Sequence, residues 1–228
     1  MIGHVHNYDC MDALKYFKDR EFDIAIIDPP YGIKESAHRN LSRTKLTKTN
    51  MYRIEFWDYD IPSQKYFNEL FRISKHQIIF GINYLLGKVN IPFSSGRIVW
   101  DKCNEGTNFS DCEIAYCSFH QSTRLFRFMW NGMMQGTPGN GSVMQGNKAK
   151  NQKRIHPTEK PIDIYKWILR KYAKDGDKIL DTHMGSGSIQ IACYEAGLSF
   201  TGFEIDKYYY DASQKRFATY KQQLKIVL

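Results

Sequence analysis

Residues 22–31 read Phe-Asp-Ile-Ala-Ile-Ile-Asp-Pro-Pro-Tyr. From Phe22 to Ile27 the run is almost continuously apolar, as in a strand buried on both faces; a strand with one wet face alternates. It stops at Asp28-Pro29-Pro30, where two prolines fix φ and remove two N–H donors, so the ladder cannot continue. Strands covered on both sides belong to mostly parallel sheets with helices on each face. In such open sheets ligands bind beyond the carboxyl ends of the strands, and Asp28 to Tyr31 leave the sheet at that edge.

Around this segment the chain alternates between the two element types. Upstream, Ala13, Leu14 and Phe17 fall at helical spacing within Asp12 to Lys18, after a short strand near Val5 to Tyr8, which predicts a βαβ unit. Downstream, Tyr66, Phe67, Leu70, Phe71 and Ile73 give one apolar face to a helix over Ser63 to Ser74. Short strands fit at Gln77 to Phe80, Arg97 to Trp100, Glu113 to Ser118 and Arg124 to Trp130. Pro161 suits a first helical turn, and Ile164, Tyr165, Ile168, Leu169 and Tyr172 carry that helix to a stop at Asp175-Gly176-Asp177. A strand ending at Asp181, a glycine turn, a helix ended by Gly197 and a strand to Glu204 form a second βαβ unit.

Two stretches break the pattern. Residues 34–50 hold five Lys or Arg against one Glu with no apolar periodicity, which predicts a basic, mobile loop. Residues 131–154 hold five glycines and then Lys148, Lys150, Lys153 and Arg154, which predicts a long flexible insertion.

The 228 residues suit a single domain, and 42% apolar content excludes a disordered chain. Thirty-two Lys and Arg against 24 Asp and Glu leave a net charge of +8, which favours a polyanionic partner, nucleic acid first. The five cysteines are scattered and make no Cys-x-x-Cys pair, so neither a disulfide framework nor a metal site is expected. No stretch approaches the roughly 18 apolar residues of a spanning helix, and the first ten residues do not read as a signal peptide. The expectation is a soluble, cytoplasmic protein with no membrane partner.

The turn Asp181-Thr182-His183-Met184-Gly185-Ser186-Gly187-Ser188 lies between a strand and a helix, where absent Cβ atoms admit a ligand close to the backbone. Glu204 ends the next strand, 17 residues after Gly187, near the spacing at which an acidic residue accepts hydrogen bonds from ribose hydroxyls. A dinucleotide fingerprint would need glycine where Gln190 stands, and no Gly-Lys-Ser or Gly-Lys-Thr phosphate loop occurs. An aspartate before Gly-x-Gly therefore suits a nucleoside ligand with an amino group and no phosphates, such as S-adenosylmethionine. The same glycines also fit a plain, tightly packed αβ turn.

Asp28-Pro29-Pro30-Tyr31 has a chemical reading of its own. A stiff turn presents the Asp28 carboxylate and the Pro29 carbonyl as two acceptors, which match the two hydrogens of an exocyclic amino group. Held that way, the nitrogen lone pair is turned out of the ring toward an electrophile, and positioning supplies the rate. Tyr31 would stack on the base, flipped out of a duplex to be reached. The alternative is a rigid turn with a core tyrosine.

Taken in order, these segments resemble the amino-methylating DNA methyltransferases, specifically the permuted, beta-group-like set in which the catalytic motif precedes the cofactor motif. Asp28-Pro29-Pro30-Tyr31 matches the catalytic motif, Phe80-Gly81-Ile82-Asn83-Tyr84 the segment after it, and His156-Pro157-Thr158-Glu159-Lys160-Pro161 the segment at the methionine end of the cofactor. Asp181 to Ser188 resembles the cofactor loop, with Thr182-His183 where many members have Pro-Phe and Ser188 where they have Thr; Gly202-Phe203-Glu204 resembles the ribose site.

The resemblance implies an α/β, Rossmann-like S-adenosylmethionine-dependent methyltransferase fold. It divides the chain into a catalytic half over 1–118, a target-recognition insertion over about 119–154 and a cofactor-binding half over 155–228. Asp28, Pro29, Pro30 and Tyr31 become catalytic, and Asp9, Thr158, Lys160, Asp181, Gly185, Ser186, Gly187 and Glu204 cofactor-binding. His183 is a further candidate base.

Double-stranded DNA becomes the partner, with Lys34, Arg39, Arg43, Lys45, Arg124, Arg127, Lys148, Lys150, Lys153 and Arg154 as its contacts and Gln135 or Asn140 as readers of adenine edges. Asp at position 28 tilts the target toward adenine N6, in a restriction-modification setting, and the resemblance allows a homodimer. The other readings are cytosine N4, an RNA or protein-amide substrate, and a non-catalytic DNA-binding relative.

Overall fold

The computed structural model describes residues 3–33, 60–106, 110–131, 134–139 and 151–227. Eight strands form one sheet in the order β1 (His4–His6), β10 (Ser199–Phe203), β9 (Lys178–Asp181), β2 (Phe22–Ile27), β3 (Ser74–Phe80), β5 (Cys112–Cys117), β4 (Arg97–Asp101) and β6 (Thr123–Arg127). Neighbours from β1 to β3 pair in parallel, β5 is antiparallel to both β3 and β4, and β6 runs parallel to β4. Only β5 is reversed.

The central strand explains the apolar run that opens the sequence reading. Ile24 and Ile26 face one core with Ile78, Phe80 and Ile179, under helices α4 (Ile162–Tyr172) and α5 (Ser188–Glu195). Ala25 and Ile27 face the other with Ile79 and Leu180, under α1 (Cys10–Leu14) and α2 (Gln64–Ile73). Both faces of β2 are dry, so its residues cannot alternate. Helix α2 starts where Ser63 Oγ accepts from Tyr66 N at 3.4 Å, and it buries Tyr66, Phe67, Leu70 and Ile73 against the sheet, each worth about 1.5–3 kcal/mol. Phe71, expected on that face, is half-buried.

Several elements depart from expectation for local reasons. The first helix begins at Cys10 because the Asp9 carboxylate caps it, accepting from Met11 N at 2.8 Å, and it ends at Leu14. Strands β1 and β2 flank it but are not neighbours, since β10 and β9 lie between them. The strand expected over 124–130 divides. β6 completes the main sheet, Phe128 N donates to Asp101 O, and β7 (Met129–Trp130) leaves to pair antiparallel with β8 (Gln135–Gly136).

Pro161 stands at the N-cap of α4, outside its first turn. After β3 the chain makes a short helix α3 (Ile82–Leu85), and it closes with α6 (Lys207–Val227), whose mixed polarity offers weak helical periodicity. The basic stretch 34–50 lies outside the described residues, as does most of 131–154. No described helix is long and apolar enough to cross a membrane.

Candidate active site

Ile24 pairs with Ile179 and Ala25 with Leu180, so β2 and β9 are parallel neighbours that end at the same sheet edge. Asp28 follows β2 directly and Asp181 closes β9, which puts the Asp-Pro-Pro-Tyr turn and the glycine turn on one crevice. β3 delivers Gly81 beside them. Gly81 has φ +67°, and a Cβ there would fall 2.0 Å from Tyr31 Cε1. The Tyr31 ring therefore lies directly on glycine, and it stacks on Tyr84 with centroids 5.1 Å apart.

Asp28 accepts a hydrogen bond from the Tyr31 hydroxyl and is ion-paired with Lys160 Nζ at 2.5 Å. Lys160 Nζ also donates to the Tyr31 oxygen at 3.2 Å, lies 3.0 Å from Glu113 Oε2 and stands over the Phe80 ring at 4.6 Å. Glu113 Oε1 pairs with Lys102 Nζ at 2.7 Å, so two carboxylates and two ammonium groups balance in one chain, with Lys160 buried and the other three half-buried.

Burial lifts Asp28 above the usual carboxylate range, Lys160 pulling it back and Glu113 adding to the rise. Glu113 is also pushed up by burial, but the charges of Lys160 and Lys102 outweigh that and hold it at about 2. Burial likewise raises the Tyr31 hydroxyl, with Asp28 next, so it keeps its proton.

On the other side of the crevice, Gly185 and Gly187 take φ values of +51° and +72°, which a side chain would strain. Glu204 Oε2 accepts from Gly185 N at 2.7 Å and its Oε1 from Asp206 N at 2.8 Å, tying the end of β10 to the glycine turn. Asp181 accepts from His183 N at 2.9 Å. Burial, then the charges of Asp28 and Glu204, raise its carboxyl to about 8. Thr182 Oγ1 meets the Tyr66 hydroxyl at 2.5 Å and His183 Nδ1 at 2.9 Å. Burial lowers His183 to about 4, so it is neutral near pH 7.

The structure thus brings Asp28, Tyr31, Lys160, Asp181, Gly185, Gly187 and Glu204 to one edge of the sheet. Lys160, expected at the cofactor, is turned to Asp28. Thr158 Oγ1 lies 3.1 Å from His156 Nδ1, and Ser186 Oγ 3.2 Å from Ser188 Oγ. Asp9 serves as the helix cap already noted.

Of the expected DNA contacts, Arg124 and Lys153 are exposed, and Arg127 Nε pairs with Asp101 at 2.8 Å. Arg154 donates to Trp130 O and covers the Trp130 ring at 4.8 Å, while Gln135 brackets Gln152, accepting from its N at 2.7 Å and donating to its O at 3.0 Å. Both are engaged within the fold. Lys34, Arg39, Arg43, Lys45, Lys148, Lys150 and Asn140 lie outside the described residues.

Three residues of the site had no role in the sequence reading. Glu113 carried one faint signal, a charge inside an apolar strand. Glu159 sits within the quoted His-Pro-Thr-Glu-Lys-Pro segment, and its Oε2 accepts from Ile155 N at 2.8 Å. Its partner Arg216 comes from α6, 57 positions away, with no local pattern to mark it.

Residues 129–215 match a family model described as DNA methylase, whose name covers N6 and N4 methyltransferases. The chain is 22% identical to the type II methyltransferase M.HinfI of Haemophilus influenzae over a 252-residue alignment, covering 93% of this chain and 67% of that protein. It is 23% identical to the type II methyltransferase M2.MboI of Moraxella bovis, covering 94% and 87%. The crystal structure of an M1.HpyAVI–SAM complex superposes with a TM-score of 0.55 at 21% identity, over 95% of this chain and 100% of that one.

The DNA methylase match covers residues 129–215, and over nearly all of its length the chain is similar to type II methyltransferases. Its fold is the S-adenosylmethionine-dependent methyltransferase fold, and S-adenosylmethionine is the cofactor these likenesses support. This chain's own residues fit that group. A buried Asp181 near two other carboxylates is short of positive charge, which an α-ammonium supplies, and Glu204 is an acceptor suited to hydroxyl donors.

Proposed function

We propose that the protein methylates adenine N6 in double-stranded DNA, with the catalytic segment ahead of the cofactor segment as in the permuted group. The observation that carries this reading is the pairing of β2 with β9, which sets the Asp28 acceptor and the glycine turn on one edge. Asp28 and the Pro29 carbonyl receive the two amino hydrogens, so the nitrogen lone pair points away from the ring. Tyr31 and Tyr84 offer an aromatic platform for a flipped base.

When bound, S-adenosylmethionine supplies a sulfonium methyl group as electrophile. Thr158, Asp181, Gly185, Ser186, Gly187 and Glu204 would hold it, with Asp9 at the adenine end. Asp28 accepts the proton that the amino nitrogen gives up. Arg124, Lys153 and the basic stretch 34–50 would meet phosphates, and two copies pairing on the duplex would extend that contact.

Incubation with unmethylated genomic DNA and cofactor, followed by nucleoside mass spectrometry, tests the reading. N6-methyldeoxyadenosine from the wild type and none from Asp28→Ala is the expected result; full activity in that variant overturns it. The family model spans both amino positions, so N4-methyldeoxycytidine as the product would assign the same chemistry to cytosine. Light scattering of the protein on a target duplex reports whether one or two copies bind.

A further inference from the structure

Lys160 Nζ rests on Asp28 Oδ2 at 2.5 Å and donates to the Tyr31 oxygen at 3.2 Å. In the proposed reaction the same carboxylate receives the hydrogens of a nucleobase amino group. Both groups are N–H donors, and the ammonium is the stronger one, so it competes with the base for Asp28. Beside them is a second acceptor. Glu113 Oε2, a buried oxygen, is already ion-paired with Lys160 Nζ at 3.0 Å, though the ammonium is not aimed along a full hydrogen bond to it. Turning one of the three rotatable ammonium hydrogens fully onto that oxygen would strengthen the pair as the bond to Asp28 is given up.

We propose that Lys160 holds the amino-group position on Asp28 and turns to Glu113 Oε2 when the target base enters, which makes Glu113 a positioning residue for base binding. The inference rests on Asp28 being the amino acceptor. The exchange is short because Nζ already stands between the two carboxylates. It keeps a buried ammonium paired throughout, and Lys102 on the far oxygen keeps Glu113 ionised to receive it.

The groups facing Asp28 from neighbouring elements are consistent with one exchanging cation. Tyr31 comes from its own turn, Glu113 from β5, Tyr165 from α4 and Asp181 from β9, and Lys160 is the ammonium in direct contact. A merely structural Lys160–Glu113 pair would support every bound base equally. An exchange instead couples Glu113 to the amino group alone.

Two duplexes distinguish these. One carries adenine at the mapped target position and the other purine deoxyriboside, which lacks the amino group. Their affinities are compared by fluorescence anisotropy with S-adenosylhomocysteine bound. In E113Q the preference for adenine over purine falls about tenfold, the worth of one charge-assisted hydrogen bond, while purine-duplex affinity stays near that of the wild type. E113D, which keeps the carboxylate, restores part of the preference.

Equal loss on both duplexes, or an unchanged preference, overturns the exchange. K160M removes the competitor, so its preference for adenine must exceed that of the wild type; a preference at or below the wild-type value also overturns it and does not depend on E113Q folding. The wild type itself tests the underlying reading. If it methylates no amino nitrogen, the assignment of Asp28 fails, whereas methylation with both preferences unchanged defeats the exchange alone.

Discussion

Arg216 on α6 pairs with Glu159 at 3.0 Å and, from the same guanidinium, donates to Ser186 O and Ser188 Oγ at 3.1 Å each. Three segments distant in sequence are thereby joined: the His-Pro-Thr-Glu-Lys-Pro stretch, the glycine turn and the last helix. Ser188 Oγ also donates to Lys160 O at 2.8 Å, so the clamp extends to the residue that touches Asp28.

The clamp is buried, with no exposure of the Glu159 side chain, and burial shifts both partners toward neutrality, Glu159 upward and Arg216 downward. Desolvation therefore outweighs attraction, and the pair adds little net stability although breaking it is expensive. Arg216→Met strands a buried carboxylate and is expected to cost about 3–5 kcal/mol with weakened cofactor binding. Adding Glu159→Gln, which keeps an acceptor for Ile155 N, should recover much of the stability. Thermal melts of the single and double variants measure this; a double variant no better than the single contradicts it.

How much of this was legible in the sequence follows from where the physics is local. β2 and its Asp-Pro-Pro-Tyr exit could be read because burial on both faces and a proline stop are written in consecutive residues. The glycine turn and Glu204 could be read because strand–turn–helix spacing constrains them. The direction of Lys160 could not, since a long side chain within its motif reaches either ligand or carboxylate, and only the packing of Phe80 and Tyr31 beside Glu113 decides. Arg154 and Gln135 read as surface groups until Trp130 and Gln152 are brought to them, and α6 shows too weak a stripe to be seen from its sequence.

Gly81→Ala should damage catalysis more than cofactor binding. A Cβ at Gly81 would stand 2.0 Å from the Tyr31 ring at φ +67°, so the ring must move off both Gly81 and Tyr84. The left-handed backbone alone costs about 1–2 kcal/mol. Methyl transfer is expected to fall at least about tenfold, as even a small misplacement of a positioned group does, with the dissociation constant for S-adenosylmethionine little changed. Single-turnover methylation and isothermal titration separate the two.

If Asp181 meets the cofactor's ammonium as proposed, cofactor affinity should depend on pH. The carboxyl's folded-state value of about 8 lies above that of an unfolded aspartate, so the folded chain holds the extra proton between the ordinary carboxylate range and pH 8, and stability falls as pH rises through that window. An ammonium bound beside it favours the ionised form and expels the proton. Binding should then weaken as pH drops below 8, approaching about tenfold per unit. Asp181→Asn should bind more weakly near pH 8 and lose that dependence, while gaining stability there. Titration calorimetry across this range, in buffers of different ionisation enthalpy, also counts the released proton; no release in the wild type would refute the assignment.

Tyr31→Phe isolates the hydroxyl from the ring. The ring keeps its seat on Gly81 and its stack on Tyr84, but Asp28 loses a donated hydrogen bond and Lys160 loses an acceptor. A charge-assisted hydrogen bond of this kind is worth about 1.5–3 kcal/mol, so kcat is expected to fall about tenfold to a hundredfold with KM for DNA nearly unchanged. The sign of the pH effect is also set. The bond from Tyr31 helps hold Asp28 ionised against burial, so removing it lifts the Asp28 carboxyl further, and the acid limb of the kcat profile moves to higher pH. Methyl incorporation measured between about pH 6 and 8 shows the move. A limb that stays in place, or shifts toward acid, would mean that Tyr31 does not poise Asp28 and that its hydroxyl serves packing alone.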